Sequence, residues 1–210
     1  MIEKNKILLG DCMDYMADMP DNYIDLAVVD PPYGIEDWNN RGSNKKNIAG
    51  KNSDKLKQWD KKPDKKYFDE LFRISKYQII WGANHFLENL PNTKSMIIWD
   101  KKNVGMHFNN FELAWSKNIK EANRIFRMSA SENSGIKIHP TQKPIKLYRW
   151  ILQNYAKEGQ LILDTHSGSG SLACACHLEK YDFIAVEKDV DYHKDSVNRL
   201  NELRSQGVLF

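Results

Sequence analysis

The 210 residues carry 31 Lys and Arg against 28 Asp and Glu, a net charge of +3, with 41% apolar and 28% charged side chains. That balance suits one soluble domain with a sizeable core, and a charge so near neutral does not by itself assign a nucleic-acid partner. No apolar stretch approaches the ~20 residues of a membrane span, residues 1–6 lack a signal-peptide core, and Cys12, Cys174 and Cys176 form no disulfide framework, so a cytoplasmic location is expected.

In chain order, residues 6–10 predict a short strand that closes at Asp11, followed by a short helix over residues 13–19 that stops at Pro20-Asp21-Asn22. The β-branched run Ile24-Asp25-Leu26-Ala27-Val28-Val29 predicts a buried strand, ended by Asp30-Pro31-Pro32-Tyr33 because neither proline can donate to a sheet ladder. The four residues set a carboxylate, a rigid carbonyl and an aromatic face at one strand end, which suits chemistry on a planar, weakly nucleophilic amino group. Alone, such a motif is equally a plain strand exit. Residues 38–66 then hold ten Lys and Arg against three Asp and few bulky apolar residues, predicting a mobile basic loop. A solvated linker has the same composition, but the position after Asp30 favours a phosphate-contacting flap.

A helix is predicted over 67–76 and a strand over 78–81, closed by Gly82; strands over 95–99 and 112–115 continue the sheet. Residues 117–138 read as an irregular basic-aromatic segment. Ile138-His139-Pro140-Thr141-Gln142-Lys143-Pro144 leads into an amphipathic helix over 145–156. The strand Leu161-Ile162-Leu163-Asp164 enters the turn Thr165-His166-Ser167-Gly168-Ser169-Gly170, then a helix over 171–178, a strand over 183–186 closed by Glu187, and a polar helix over 192–204. Glycines let a backbone approach a ligand and leave the helix's first amides facing it, and an acid closing the second strand of a βαβ unit commonly takes a ribose diol. Alternating strands and helices imply an α/β fold with a doubly wound, mostly parallel sheet. Asp11, Asp30, Asp164 and Glu187 all end predicted strands, so they converge on one rim.

The ordered set of motifs resembles the S-adenosylmethionine-dependent DNA amino-methyltransferases in their permuted arrangement, the β group, where the catalytic motif precedes the cofactor loop. It is carried by Gly10-Asp11 with Met19-Pro20, Asp30-Pro31-Pro32-Tyr33-Gly34, Trp81-Gly82-Ala83-Asn84, His139 to Pro144, and Asp164 to Gly170 with Glu187, over nearly the whole chain. The resemblance implies a Rossmann-like, circularly permuted methyltransferase fold with a small target-recognition insertion, S-adenosyl-L-methionine as cofactor and DNA as substrate. It places Asp164 and the backbone of Ser167, Gly168, Ser169 and Gly170 on the methionine part of the cofactor, Glu187 on the ribose and Asp11 on the adenine amino group with Cys12 nearby. Thr141 and Lys143 are matched to the methionine carboxylate. The family usually has Pro-Phe where this chain has Thr165-His166; His166 can still stack on the cofactor, and its protonation would make binding depend on pH.

By the same resemblance Asp30, Pro31, Pro32 and Tyr33 are catalytic, methylating N6 of adenine in DNA, with N4 of cytosine as the alternative and an idle DNA-binding module as a weaker one. Methylation of RNA or a protein glutamine fits the motif order less well. DNA contacts are expected from Arg41, Lys45 and Lys46 in the basic loop and from Arg124 and Arg127 in the 117–138 segment, for which an exposed hairpin with a small apolar patch is the alternative. No metal is expected, since Cys174 and Cys176 read as small core residues of one helix. A homodimer and a companion restriction endonuclease are compatible with the sequence.

Overall fold

The structure, a computed structural model, describes residues 2–34, 61–103, 109–117, 123–129, 138 and 141–206. Within them the chain forms β1 (Lys6–Leu9), α1 (Cys12–Ala17), β2 (Ile24–Val29), α2 (Lys65–Ile74), β3 (Ser75–Trp81), β4 (Ser95–Asp100), β5 (Phe111–Lys117) and β6 (Arg124–Arg127). It continues through α3 (Ile145–Tyr155), β7 (Leu161–Asp164), α4 (Ser171–Glu179), β8 (Asp182–Glu187) and α5 (Val190–Ser205). The eight strands join one sheet in the order β1-β8-β7-β2-β3-β5-β4-β6. Strand β5 alone runs antiparallel to its neighbours.

The centre of the sheet lacks hydrophobic alternation because both of its faces are covered. Leu26, Val28, Ile79 and Ile162 pack with α3, α4 and Leu200 of α5. Their strand neighbours Ala27, Val29, Ile80 and Leu163 pack on the other face with Met16 of α1 and Phe68 and Leu71 of α2. All of these aliphatic strand residues are 0–1% exposed, and such burial contributes ~1.5–3 kcal/mol for each large side chain. The result is an α/β doubly wound sheet. The chain opens with β1, the outer neighbour of β8, so the first strand completes the half-sheet made by the last two. Strand order reverses between β7 and β2. That switch point is where open α/β sheets bind ligands, at the carboxyl ends of the strands.

Three expectations change. Residues 124–127 are not irregular: they form β6, the sheet's edge strand, paired in parallel with β4 from Ile97↔Arg124 to Asp100↔Arg127. A four-residue strand with arginine at both ends carries too short a pattern to announce itself. The helix predicted over 67–76 begins earlier, so Lys65 and Lys66 belong to α2 rather than to the basic loop, with Asp64 as N-cap accepting from the Tyr67 amide at 3.2 Å. Strand β3 begins at Ser75 rather than 78. The polar residues Ser75 and Gln78 hide it in the sequence; inside the protein Gln78 Nε2 donates to Ser75 O at 2.6 Å.

Candidate functional site

The first half of the site is the turn after β7. Gly168 and Gly170 take left-handed backbone (φ +51° and +71°), and a Cβ at Gly170 would meet Ser196 at 3.1 Å and Ile7 at 3.2 Å. The amides of Ser167, Gly168 and Gly170 donate to Val186 O (2.9 Å), Glu187 Oε2 (2.6 Å) and Ser167 O (2.8 Å). The turn is therefore pre-folded by its own hydrogen bonds, and three of the amides expected to face a ligand serve that purpose instead. Arg199 of α5 adds a bond to Ser169 O at 2.9 Å. Glu187 also accepts from the Asp189 amide at 2.9 Å, so it ties the turn to the end of β8.

Asp164 is buried and accepts from the His166 amide at 3.2 Å. Burial, opposed by that amide and reinforced by the charges of Asp30 and Glu187, pushes its carboxyl up to about 8. His166 goes the other way: burial holds its ring down to about 4. That shift favours the neutral imidazole over the protonated form on which the expected pH dependence of binding rests. A relay fixes it in place, with Tyr67 OH 2.7 Å from Thr165 Oγ1 and Thr165 Oγ1 2.9 Å from His166 Nδ1. Ser167 Oγ is buried without a hydrogen-bond partner among the described residues. Asp11 caps α1, taking the Met13 amide at 3.0 Å and Lys188 Nζ at 2.7 Å; the Lys188 bond is the main reason its carboxyl is held low. Cys12 is buried beside it, and burial pushes its thiol up to about 12, so it stays protonated.

The second half follows β2. Asp30 lies two residues beyond Val28, and the register pairing Ala27 with Leu163 sets the ends of β2 and β7 side by side. The Asp30 carboxylate accepts from Tyr33 OH at 2.6 Å on Oδ1 and from Lys143 Nζ on Oδ2. Tyr33 packs over Gly82, whose left-handed backbone (φ +71°) leaves no room for a side chain: a Cβ there would lie 2.1 Å from the ring. One face of Tyr33 stacks on His85, with centroids 4.8 Å apart and planes 12° from parallel, and Phe86 meets its edge at 6.0 Å. Burial first, then the Asp30 charge, raises the Tyr33 hydroxyl well above its ordinary value, so it remains a donor.

Lys143, matched by resemblance to a ligand carboxylate, has partners within the protein. Its ammonium is bonded to Asp30, stands 3.1 Å from Glu112 Oε2, and lies 5.4 Å from the Trp81 ring. Its side chain is 3% exposed, whereas Asp30 keeps 18%. Burial opposes the charge, but Asp30 and Glu112 outweigh it and hold the ammonium above the usual lysine value. Glu112, the second residue of the antiparallel strand β5, which starts from the same rim, also pairs with Lys101. Glu112 and His85 escaped the sequence reading, because one lies within a strand pattern and the other is an isolated histidine. Only pairing in space shows their place. Thr141 is exposed, two residues before Lys143.

The expected nucleic-acid contacts divide. Arg41, Lys45 and Lys46 lie outside the described residues, as do His139 and most of residues 38–60 and 118–138. Arg124 bonds Asn154 of α3 at 2.8 Å, and Arg127 pairs with Asp100 at 3.3 Å. Both sit at the sheet's far edge, six strand positions from β7 counting inclusively across the sheet order, so the structure does not bring them to Asp30 and Asp164. Cys174 and Cys176 are fully buried in α4, whose residues 171–176 are buried all round.

Residues 52–198 match the family model N6_N4_Mtase, described as DNA methylase. Among curated proteins, the chain is 27% identical to Type II methyltransferase M2.MboI of Moraxella bovis over 96% of its own length and 89% of that protein's. It is 25% identical to Type II methyltransferase M.HhaII of Haemophilus parahaemolyticus, over 88% and 90%. The crystal structure of the M1.HpyAVI-SAM complex superposes with a TM-score of 0.61 at 20% identity, covering 93% of this chain and 98% of that one. The cytosine-N4-specific PvuII DNA methyltransferase gives the same TM-score at 14% identity, covering 94% and 90%.

Proposed function

Since the chain belongs to the N6_N4_Mtase family of DNA methylases, we propose that it transfers a methyl group from S-adenosylmethionine to the exocyclic N6 of adenine in DNA, the base being flipped out to meet Asp30. The activity at its coarser level, S-adenosylmethionine-dependent methylation of an amino group in DNA, comes with the family. The observation that supports a cleft shared by cofactor and amine is the switch point: Asp164 ends β7 and Asp30 follows the adjacent strand β2 on the same rim.

The residues after β7 suit the cofactor. Ser167 Oγ is a buried hydroxyl without a hydrogen-bond partner among the described residues, and Asp164 is a buried carboxyl that, once ionised, suits a cationic partner. Asp164 and the turn would hold the methionine part, Glu187 the ribose, and Asp11 with Cys12 the adenine end. S-adenosylmethionine, when bound, supplies a methyl group activated on a positively charged sulfur.

This chain's own residues prepare the amine. An exocyclic amino nitrogen shares its lone pair with the base ring and attacks poorly. Hydrogen bonds from its two N–H groups to the Asp30 carboxylate and the Pro31 carbonyl favour a pyramidal nitrogen with that pair available. As nitrogen gains the methyl group it becomes positive; Asp30 stabilises the charge and accepts the departing proton. Because the amine lies inside the duplex, the base must leave the stack. Pro32 walls the flipped base, and the Tyr33 ring would stack on it, an interaction worth ~1–3 kcal/mol.

Asp-Pro-Pro-Tyr serves either amine in this family, and adenine is preferred here because the motif does not open with the serine that would favour cytosine. Incubation with DNA and methyl-labelled cofactor, followed by nucleoside mass analysis, tests this. N6-methyladenine is the expected product. N4-methylcytosine would assign the second reading, and unlabelled DNA from protein that binds the cofactor would refute both.

A further inference from the structure

Resting on the amino-methyl transfer proposed above, the geometry points to Glu112 as a positioning residue that draws the Lys143 ammonium off Asp30 when the target amine arrives. As the site stands, Asp30 is filled: Tyr33 OH occupies Oδ1 and Lys143 Nζ occupies Oδ2. An ammonium bonded to this carboxylate mimics the positive nitrogen that forms during transfer. A carboxylate whose charge is already matched by an ammonium cannot fully stabilise the positive charge that develops on the amine. Lys143 therefore has to move, and a buried cation cannot move to a place without an anion.

Such a place is already built. Glu112 Oε2 lies 3.1 Å from Lys143 Nζ yet is buried without hydrogen-bond geometry to any described partner, whereas Oε1 is held by Lys101. A small swing of the lysine head trades the bond to Asp30 for one to Glu112, still beneath the Trp81 ring. The ion pair remains buried and neutral throughout, and Asp30 is freed only when another donor replaces the ammonium. This makes Asp30 selective for a ligand that can donate.

Single-turnover methyl transfer, with cofactor and DNA affinity measured separately, tests the exchange on wild type, Glu112→Gln, Glu112→Asp, Lys101→Met, Lys143→Met and the Lys143→Met/Glu112→Gln double variant. Glu112→Gln should transfer about 30-fold more slowly while both affinities stay within about threefold, the split expected of a residue that acts in the chemical step. Glu112→Asp, which keeps the charge, should recover most of the rate. Lys101→Met should stay within about threefold of wild type, and adding Glu112→Gln to Lys143→Met should change little, since there is no ammonium left to relocate. The idea is overturned if Glu112→Gln matches wild type, if Lys101→Met loses as much, or if the Glu112 effect persists without Lys143. Failure of wild type itself to methylate DNA would instead refute the proposed function.

Discussion

Asp164, rather than His166 two residues on, carries the pH behaviour of the proposed cofactor half of the site. The Asp164 carboxyl is held up to about 8 by burial, far above the ~3.9 of an unfolded aspartate. Its folded form therefore binds a proton that the unfolded chain has released between roughly pH 4 and 8. Its contribution to stability is complete below that window and is lost as pH rises through it. For binding the sign reverses. A cationic ligand group needs the ionised carboxylate, so cofactor affinity should rise with pH and level off above about 8. His166, held down to about 4, adds nothing between pH 5.5 and 8. Calorimetric titration with S-adenosylmethionine across that range should show the same rise in wild type and His166→Phe and a flat profile in Asp164→Asn. A slope lost in the histidine variant and kept in the asparagine one would reverse the assignment. The Thr165-His166 departure was visible in the sequence. The neutrality of the ring was not, because it comes from burial.

At the scale of elements, the turn after β3 sets the aromatic wall of the proposed amine site. Gly82 closes β3 in left-handed backbone with the Tyr33 ring where a side chain would stand, and the short 3₁₀ turn Ala83–His85 then brings His85 over Tyr33. Gly82→Ala should expel the ring. Left-handed alanine alone costs ~1–2 kcal/mol, and the 2.1 Å clash adds displacement of Tyr33. The expected outcome is loss of most methyl transfer with cofactor affinity intact, and a crystal structure of the variant should show the ring moved. Unchanged activity would separate Tyr33 from catalysis. The elements that build both half-sites were legible because their signals are local: β2 begins and ends where its apolar run does, and β7, its glycine turn and β8 follow their motif. Edge strand β6 was not legible, since its identity depends on pairing with β4 rather than on its own four residues. The partner of Lys143 was hidden for the same reason. Nothing in the spacing of residues 30, 112 and 143 reveals that three separate elements bring them together.

Across the whole molecule, function follows from where the chain's two halves meet. Strands β1, β8 and β7 make one half-sheet and β2 onward the other, so the β7–β2 seam joins the glycine turn to the Asp30 motif although 134 positions separate residues 30 and 164. In the proposed reaction each half serves one partner, and the chemistry belongs to the seam. The most direct test is methyl transfer to DNA by Asp30→Ala protein whose S-adenosylmethionine occupancy has been measured in the same sample. Bound cofactor with no product is the outcome this arrangement predicts; turnover near the wild-type rate would show that the amine is received elsewhere.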